Sequence, residues 1–330
     1  PAEPVTTPVS TTPAASRTLA VTLGDPRGIG PEVAESAARR LRESQPNDRP
    51  RLVFVGPEGT GAGASADAFQ PIGVWRAGDD AACSGRLAAL AVEEATRLAL
   101  GGQVDAVVTA PLEKSALHAA GYPWPGHTEM LAELARVPEV AMMMCAESTP
   151  AGGALRVVLA TIHVALRDVP RLFTVERLVS QTRMADRALR EQWGIAAPRI
   201  GLCAFNPHAS DSGLFGDEES RIYVPALAAL LADGIDARGP FPADTVFLRA
   251  LRGELDAVIA PYHDVGMAAF KTAAFGRGVN VTLGLPFVRT SPDHGTALDI
   301  AGRGVADPSS MVEAITLADT LVRRALETAR

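Results

Sequence analysis

The chain of 330 residues contains very little lysine. Its 31 basic residues include two lysines, Lys114 and Lys271, and all the others are arginine. This excess indicates a strong coding bias towards arginine. A lysine kept against such a bias is a candidate for a role that requires a compact or titratable ammonium group. Retention of both lysines by chance is the alternative.

The sequence also lacks basic runs, long apolar runs and paired cysteines. A net charge of −7 without a basic cluster argues against a nucleic-acid partner. No segment approaches the roughly 18 consecutive apolar residues of a membrane span, so no membrane association is expected. The three cysteines, Cys83, Cys145 and Cys203, form no CxxC pair, which predicts reduced thiols in a cytoplasmic protein. Residues 1–17 are rich in Pro, Thr, Ser and Ala and predict a disordered tail.

The usual nucleotide-binding fingerprints are absent as well. A predicted strand at 19–23 leads into GDPRGIGPEV, residues 24–33, whose glycines are spaced G-x-x-x-G-x-G. This spacing matches neither GxGxxG nor a P-loop, and no Walker lysine follows. Pro31 suits the first turn of a helix. A ligand-binding turn and a plain strand-to-helix turn therefore both stay open.

What the sequence does contain is an alternation of short apolar strands with amphipathic helices. Because this pattern is typical of βαβ units, it predicts an α/β fold with mostly parallel strands. The length allows two domains or one large α/β unit. The predicted strands lie at 51–55, 105–109, 156–162, 200–205 and 256–260, and the predicted helices at 84–100, 176–193, 220–233 and 309–330.

Three of these strands end at a histidine: His163, His208 and His263. Ligands bind beyond the carboxyl ends of parallel strands, so three imidazoles in this position favour a metal site over three unrelated structural histidines. Three imidazoles also leave coordination positions open, as a catalytic metal requires. Asp244, in the segment GPFPADTVF, is interpreted either as the partner that orients a metal-bound histidine or as a helix cap.

A glycine-rich segment, residues 256–299, carries Lys271, Asn280 and Arg289 at intervals of nine. This interval fits neither helical nor strand periodicity. An ammonium, an amide and a guanidinium are the donors that a phosphate or carboxylate needs, so the segment predicts an anion site. A surface ion pair is the alternative for Arg289. Upstream, Thr128 is predicted to cap the helix TEMLAELA.

Taken together, these motifs resemble the 4-hydroxythreonine-4-phosphate dehydrogenase family of pyridoxal phosphate biosynthesis. The resemblance covers the chain from Leu19 to about Arg323, and the combination of motifs is highly specific. The matching stretches are GDPRGIGPEV, VTAPLEKSAL, GYPWPGHTE, ATIH, NPHAS, FPADT, YHD and FGRGVNVTLGLPFVRTSPDHGTALDIAGRG.

The resemblance implies the fold of the isocitrate and isopropylmalate dehydrogenases: two α/β/α domains with mostly parallel sheets and a cleft between them, in a homodimer. Residues 18–130 with 270–330 would form the cofactor-side domain, and 131–269 the metal- and dimer-side domain. It also implies a divalent ion (Zn, Co, Mg or similar) at the subunit interface, and NAD or NADP held by a loop like HGxAxxxAG. The implied site residues are His163, His208 and His263 for the metal, His127, Thr128, Lys271, Asn280 and Arg289 for the substrate, and His294, Gly295 and Thr296 for the cofactor.

The implied reaction is the oxidation of 4-phosphohydroxy-L-threonine by NAD(P)⁺, with decarboxylation to 3-amino-2-oxopropyl phosphate. Lys114, just past a strand end, is a candidate general acid/base, and Asp244 is the second candidate catalytic residue. The sequence departs from the family at Val265-Gly266 after YHD and at 272–274 after the lysine. Related substrates therefore stay open: threonate or erythronate 4-phosphate, or a cis-dihydrodiol of terephthalate. A non-catalytic protein that binds metal or phosphate is a further alternative.

Overall fold

The computed structural model of the protein describes residues 17–274 and 276–328. The expected disordered tail lies outside the described residues, except for Arg17. Within those residues, no helix combines the length and the apolar character that a membrane crossing requires. The strands are β1 Thr18–Thr22, β2 Arg51–Glu58, β3 Ala68–Val74, β4 Ala106–Thr109, β5 Ala141–Ala146, β6 Leu155–Leu159, β7 Arg199–Cys203, β8 Asp236–Phe241, β9 Ala257–Ala260, β10 Val279–Leu283 and β11 Val288–Pro292. The helices are α1 Gly30–Ser44, α2 Ala81–Leu100, α3 Lys114–Ala119, α4 His127–Leu134, α5 Val169–Leu172, α6 Val175–Glu191, α7 Val224–Ala232, α8 Ala243–Leu251, α9 His263–Ala273 and α10 Ser309–Thr328.

Local chemistry explains where the main helices begin. Helix α1 has Pro31 in its first turn, where the missing N–H costs nothing. Helix α2 begins after Asp80, whose carboxylate accepts a hydrogen bond from the N–H of Cys83. Helix α6 begins after Thr174, whose hydroxyl accepts from the N–H of Arg177. Helix α4 begins differently: its N-cap is Gly126, which has no side chain to satisfy the first N–H groups. The prediction that Thr128 caps this helix is wrong, because Thr128 already lies in the first turn.

The eleven strands form one continuous sheet in the order β3-β2-β1-β4-β11-β10-β5-β6-β9-β7-β8. One parallel block runs from β3 to β11, and a second runs from β6 to β8. The two blocks point in opposite directions, because the three central pairings, β11-β10, β10-β5 and β5-β6, are antiparallel. The predicted α/β class with mostly parallel strands is confirmed. The division into two domains stays a prediction.

The two faces of the sheet are covered differently. On the face that packs against α1, α6 and α10, one apolar core extends across both parallel blocks. On the other face the apolar core is split into two separate clusters, one under α2 and α4 and one under α8 and α9. The strip of sheet between these clusters carries polar side chains from the central strands. The floor of a cleft therefore lies over β4, β11 and β10.

Candidate functional site

The cleft contains a cavity of about 330 Å³ whose floor is the polar strip of the sheet. One wall is the N-terminus of α4, and another is the segment that follows β6. Helix α3 and the loop after β11 complete the lining. The polar residues that line this cavity are Thr109, Lys114, His127, Thr128, Glu129, His163, Asn280, Arg289, Ser291, Asp293 and His294.

Arg289 lies on β11 at the centre of this floor and is 2% exposed. Its Nη2 donates to Thr109 Oγ1 at 2.6 Å, and its Nη1 donates to Thr282 Oγ1 at 2.8 Å. No carboxylate pairs with it in the part of the chain that the structure describes, and its Nε has no hydrogen-bond partner there. Burial lowers the pKa of the guanidinium to about 10, so the group is a cation at neutral pH. A buried cation with free donor capacity is suited to an anionic ligand. The alternative interpretation of Arg289 as a surface ion pair is wrong, since the residue is buried and has no acidic partner among the described residues.

Three further buried polar atoms around the cavity have no hydrogen-bond partner in the described chain: His127 Nε2, Asn280 Oδ1 and His294 Nε2. Burial, followed by the positive charge of Arg289, lowers the pKa of His127 well below its ordinary value. His127 is therefore a neutral imidazole at physiological pH. Because buried polar groups are normally satisfied, this cluster of unpartnered atoms marks a place for a polar ligand.

The N-terminus of α4 adds to this anion-binding character. Gly126, His127 and Thr128 line the cavity, and no side chain caps their backbone N–H groups. The first N–H groups of a helix carry partial positive charge and commonly bind phosphate. Here they open into the cavity that contains the uncompensated guanidinium of Arg289.

Lys114 and Glu129 face each other across Gly126. A methyl group placed on the Cα of Gly126 would lie 3.8 Å from Lys114 Cε and 3.9 Å from Glu129 Oε2. Lys114 is the first residue of α3 and Glu129 lies in the first turn of α4. Neither side chain forms an ion pair within the residues that the structure describes. Both charges are therefore available to a ligand in the cavity.

Two of the three predicted metal ligands lie next to each other. The ring centroids of His163 and His263 are 5.9 Å apart. His263 begins α9, and its Nδ1 is 2.7 Å from Asp264 Oδ1, which orients the ring. Burial, together with the charge of Lys114, lowers the pKa of His163, so its imidazole is neutral at physiological pH and suited to metal ligation.

His208 is placed elsewhere in the same chain. It lines a separate cavity with Asp244, and Tyr262 lies between this cavity and the one that contains His163 and His263. Among the described residues, no three His, Cys, Asp or Glu side chains come close enough together to hold a metal ion. The role of Asp244 as the partner that orients a metal-bound histidine stays a prediction. Its interpretation as a helix cap is wrong, because the N-cap of α8 is Pro242 and no side chain caps that helix.

The backbone at two of these histidines is unusual. His163 and His208 each have a φ of 53°, and residues 208–212 all adopt positive φ without a glycine. Such conformations cost free energy in non-glycine residues and concentrate at functional sites. The donor chemistry of the adjacent imidazoles of His163 and His263, with a strained third histidine, His208, after a neighbouring strand, fits a divalent metal.

Lys271 is not part of the main cavity. It lies on α9, where its Nζ pairs with Asp293 Oδ2 at 2.7 Å and donates to the carbonyl oxygen of Asp293 at 3.2 Å. It lines a neighbouring cavity that shares Asp293 and His294 with the first one. Of the predicted substrate-binding residues, His127, Thr128, Asn280 and Arg289 are brought together, and Lys271 lies beside them.

The predicted cofactor loop packs against the turn that precedes α1. The carbonyl oxygen of Thr296 accepts from the N–H of Ile29 at 2.9 Å, and the hydroxyl of Thr296 donates to Glu113 Oε2 at 3.2 Å. A cavity of about 440 Å³ lies next to this contact, between the turn, the start of α1 and residues 301–304. His294 and Gly295 face the main cavity. The 294–296 loop thus connects the two cavities.

Four polar residues that line the cavity are not among the predicted site residues: Thr109, Glu129, Ser291 and Asp293. Glu129 had an available signal, since it directly follows His127 and Thr128 in the GHTE motif. Thr109 and Ser291 are small hydroxyl residues at strand ends, and only the order of strands in the sheet brings them together.

The structure thus has an α/β cleft with a candidate anion site, two neighbouring imidazoles and a second cavity. Together with the relatives of the chain, these features define the class of protein as a dehydrogenase. Residues 30–318 match the family model described as pyridoxal phosphate biosynthetic protein PdxA. The chain belongs to this family. It is 44% identical to the 4-hydroxythreonine-4-phosphate dehydrogenase of Burkholderia vietnamiensis, over 94% of this chain and 98% of that one. It is 40% identical to a protein of Bradyrhizobium diazoefficiens whose provisional name is D-threonate 4-phosphate dehydrogenase, over 93% and 97% of the two chains.

Solved structures agree with this assignment. A 4-hydroxythreonine-4-phosphate dehydrogenase from Klebsiella pneumoniae superposes with a TM-score of 0.81 at 40% identity, covering 94% of this chain and 99% of that one. A terephthalate 1,2-cis-dihydrodiol dehydrogenase from Burkholderia xenovorans LB400 gives 0.65 at 31% identity, with 92% and 98% covered. A β-decarboxylating dehydrogenase from Thermococcus kodakarensis, at 17% identity and a TM-score of 0.50, shares the fold alone. The chain is thus a dehydrogenase, a family that implies a nicotinamide cofactor.

Proposed function

We propose that this protein catalyses the metal-dependent, NAD(P)-linked oxidation of 4-phosphohydroxy-L-threonine to a 3-oxo acid, which decarboxylates to 3-amino-2-oxopropyl phosphate. The observation that carries the proposal is Arg289: a buried guanidinium without an acidic partner in the described chain, facing a cavity into which a helix N-terminus also opens. This combination suits a phosphoryl group. The names of the relatives at 44% and 40% identity support a phosphorylated four-carbon acid as substrate.

In this proposal, each residue around the cavity has a separate role. Arg289, Asn280 and the first turn of α4 would bind the phosphoryl group and fix the substrate. His127 is neutral and can donate or accept a hydrogen bond without adding charge. Lys114, which lines the same cavity, would take the hydroxyl proton as a neutral amine when the alcohol is oxidised, and the ammonium group so formed would return a proton after carbon dioxide leaves.

A divalent metal would be held by His163 and His263 of one chain and by His208 of a second copy. When bound, it supplies a Lewis acid that polarises the substrate hydroxyl and the carbonyl formed from it. Asp244, which shares a cavity with His208, would orient that imidazole. The 294–296 loop and the cavity beside Gly28 would hold the nicotinamide cofactor, which accepts the hydride.

The metal site in this proposal requires a homodimer. Apolar side chains stand exposed next to both histidine segments: Val164 and Leu166 follow His163, and Leu214 and Phe215 follow His208. Their exposed fractions run from 42% to 72%. Burial of such side chains against a second copy would remove apolar surface from water and bring the segments together.

The test is a direct assay of purified protein with 4-phosphohydroxy-L-threonine and NAD⁺ or NADP⁺, with bound metal quantified by mass spectrometry. The proposal expects nicotinamide reduction that is lost on chelation and restored by a divalent ion. Full turnover by metal-free protein would contradict the role of the histidines.

The second candidate is oxidation of a related substrate, either threonate or erythronate 4-phosphate or a terephthalate cis-dihydrodiol. The relatives named for D-threonate 4-phosphate and for the dihydrodiol favour this alternative. The same assay with all three substrate types distinguishes it. The buried Arg289 favours the phosphorylated acids over the dihydrodiol.

A further inference from the structure

Glu129 is a negative charge in a cavity otherwise suited to anions. It lies in the first turn of α4, is half-buried and lines the cavity beside His127 and Thr128. Its carboxylate accepts no hydrogen bond and joins no ion pair among the described residues. Desolvating a carboxylate without a partner is unfavourable, so its presence here calls for a ligand group that compensates it.

The other charges that line the cavity leave Glu129 uncommitted. The carboxylate of Asp293 is taken by Lys271 at 2.7 Å. Arg289 donates to two threonine hydroxyls and, like the α4 N-terminus, would bind the phosphoryl group in the proposed function. Among the described residues, the cavity thus offers two unpaired basic side chains, Arg289 and Lys114, and one unpaired carboxylate, Glu129. This pattern is complementary to a ligand that carries anionic groups and a single cationic group.

Glu129 also lines the same cavity as His163, beside which the reacting hydroxyl would bind in the proposed function. Glu129 lies in the first turn of α4, whose N–H groups would bind the phosphoryl group in the proposed function. Its charge acts on His163, where it opposes the larger effect of burial on the pKa of that imidazole. In 4-phosphohydroxy-L-threonine, the carbon that bears the ammonium group is bonded to the carbon that bears the reacting hydroxyl. This ammonium carbon is on the side of the hydroxyl carbon away from the phosphoryl group, so a hydroxyl held beside His163 would keep the ammonium group one carbon–carbon bond from that position, in the cavity that Glu129 also lines.

We propose that Glu129 binds the α-ammonium group of the substrate and so selects an amino-acid phosphate over the corresponding hydroxy-acid phosphate. This inference rests on the proposed function and assigns it a specificity-determining residue. An ammonium group forms a charge-assisted hydrogen bond with the carboxylate, whereas a hydroxyl at the same carbon leaves the negative charge uncompensated.

The experiment compares kcat/KM for 4-phosphohydroxy-L-threonine and for D-threonate 4-phosphate in the wild type and in Glu129→Gln. The variant keeps the shape of the side chain and removes its charge. Loss of a charge-assisted hydrogen bond predicts a fall of about 10- to 100-fold for the amino substrate, mainly through KM. Turnover of the hydroxy substrate is expected to stay constant or rise, so the preference for the amino substrate falls by the same factor.

Glu133→Gln is the matched control. Glu133 lies one turn further along α4, accepts a hydrogen bond from Trp124 Nε1 at 2.7 Å and does not line the cavity. This variant should keep the wild-type preference, and a thermal melt of each variant checks that the fold is intact. An equal loss on both substrates in Glu129→Gln would overturn the inference and indicate a role in the chemical step. A wild-type preference for D-threonate 4-phosphate would overturn it too. Turnover of neither substrate by the wild type would instead overturn the proposed function itself.

Discussion

Arg289 and Thr109 join two neighbouring strands at the floor of the cleft through a hydrogen bond of 2.6 Å from Nη2 to Oγ1. A second threonine, Thr282, holds the other terminal nitrogen. The guanidinium is thus fixed in place by neutral hydroxyls, without a negative charge from the described chain. An ion buried in this way costs stability in the free protein, and that cost is offset only when an anion binds.

The first prediction concerns this cost. Arg289→Met should leave the melting temperature of the free protein unchanged or raise it, because an apolar side chain of similar length replaces a buried cation. Inorganic phosphate should stabilise the wild type but not the variant. Thermal melts with and without phosphate measure both effects. Arg238→Met, at an exposed ion pair with Asp236, is the control and should respond to phosphate as the wild type does. Equal phosphate stabilisation of Arg289→Met would contradict the assignment.

The second prediction concerns the origin of the metal ligands. His163→Ala and His208→Ala should each be inactive, yet subunits of the two variants mixed by unfolding and refolding should recover activity. Each mixed dimer would contain one intact site, so random pairing restores about a quarter of the wild-type activity. Mixing His163→Ala with His263→Ala is the matched control. Those two ligands come from the same chain in the proposal, so no site is restored. Recovery in the control, or none in the first mixture, would show a different division of ligands.

The third prediction concerns Lys114. Replacement by Gln or by Arg should lower kcat by about 10²- to 10⁴-fold with little change in KM, because a general acid/base is lost while the phosphate-binding groups remain. Arg retains the positive charge but does not exchange a proton at physiological pH. Steady-state kinetics separate the two parameters. A Lys114→Arg variant with wild-type kcat would show that the residue supplies charge alone.

The fourth prediction concerns the contact between Gly28 and the cofactor loop. A Cβ on Gly28 would lie 2.7 Å from the backbone oxygen of Thr296, which cannot move without displacing residues 294–296. Gly28→Ala should therefore weaken NAD(P)⁺ binding at least about tenfold, a loss of about 1.4 kcal/mol, while phosphate binding persists. Titration calorimetry measures both ligands. Gly102→Asn, in open space after α2, is a control for loss of a glycine. Unchanged cofactor affinity in Gly28→Ala would remove the loop from the cofactor site.

The fifth prediction concerns acid stability. Asp67 accepts hydrogen bonds from Arg49 and from the N–H of Leu52, and the Arg49 guanidinium is the main reason that its pKa is lowered from 3.8 to about 2. A carboxylate with a lowered folded-state pKa stabilises the fold above its unfolded value, and this contribution is lost as the pH falls from about 4 to about 2. Asp67→Asn should cost about 1–2 kcal/mol in the free energy of unfolding at pH 7. Urea unfolding should show the two proteins converging towards pH 2. A difference independent of pH would contradict the role of the charge.

The sequence was sufficient for the elements whose apolar pattern is regular. The predicted helix at 84–100 is α2 at Ala81–Leu100, and the strand predicted at 51–55 is the start of β2. The three histidines do follow strands β6, β9 and β7, which are neighbours in the sheet. Periodicity and the position after a strand end are local signals, so they can be recognised without knowledge of the tertiary structure.

The sequence was insufficient where polar side chains alternate with apolar ones on a central strand. The segments with Asn280 and Arg289 are β10 and β11, and their polar side chains face the cleft while Val279, Val281 and Val288 face the continuous core. The alternation of polar and apolar side chains in these segments is typical of strands, but only an anion site is predicted there from the sequence. The antiparallel centre of the sheet had no local signal either. His208 lies apart from His163, in a segment at 208–212 whose backbone has positive φ throughout, and no sequence pattern specifies that conformation.

The unbroken row of strands beneath the cleft has a mechanical consequence. Both walls of the cleft are connected to the same hydrogen-bonded sheet, which runs from β3 to β8. Any increase in the distance between Arg289 and His163 must therefore bend or twist this sheet, because its two parallel blocks are joined by hydrogen-bonded strands. The distance between Arg289 and His163, the two ends of the proposed substrate site, is therefore held by the four central strands β11, β10, β5 and β6.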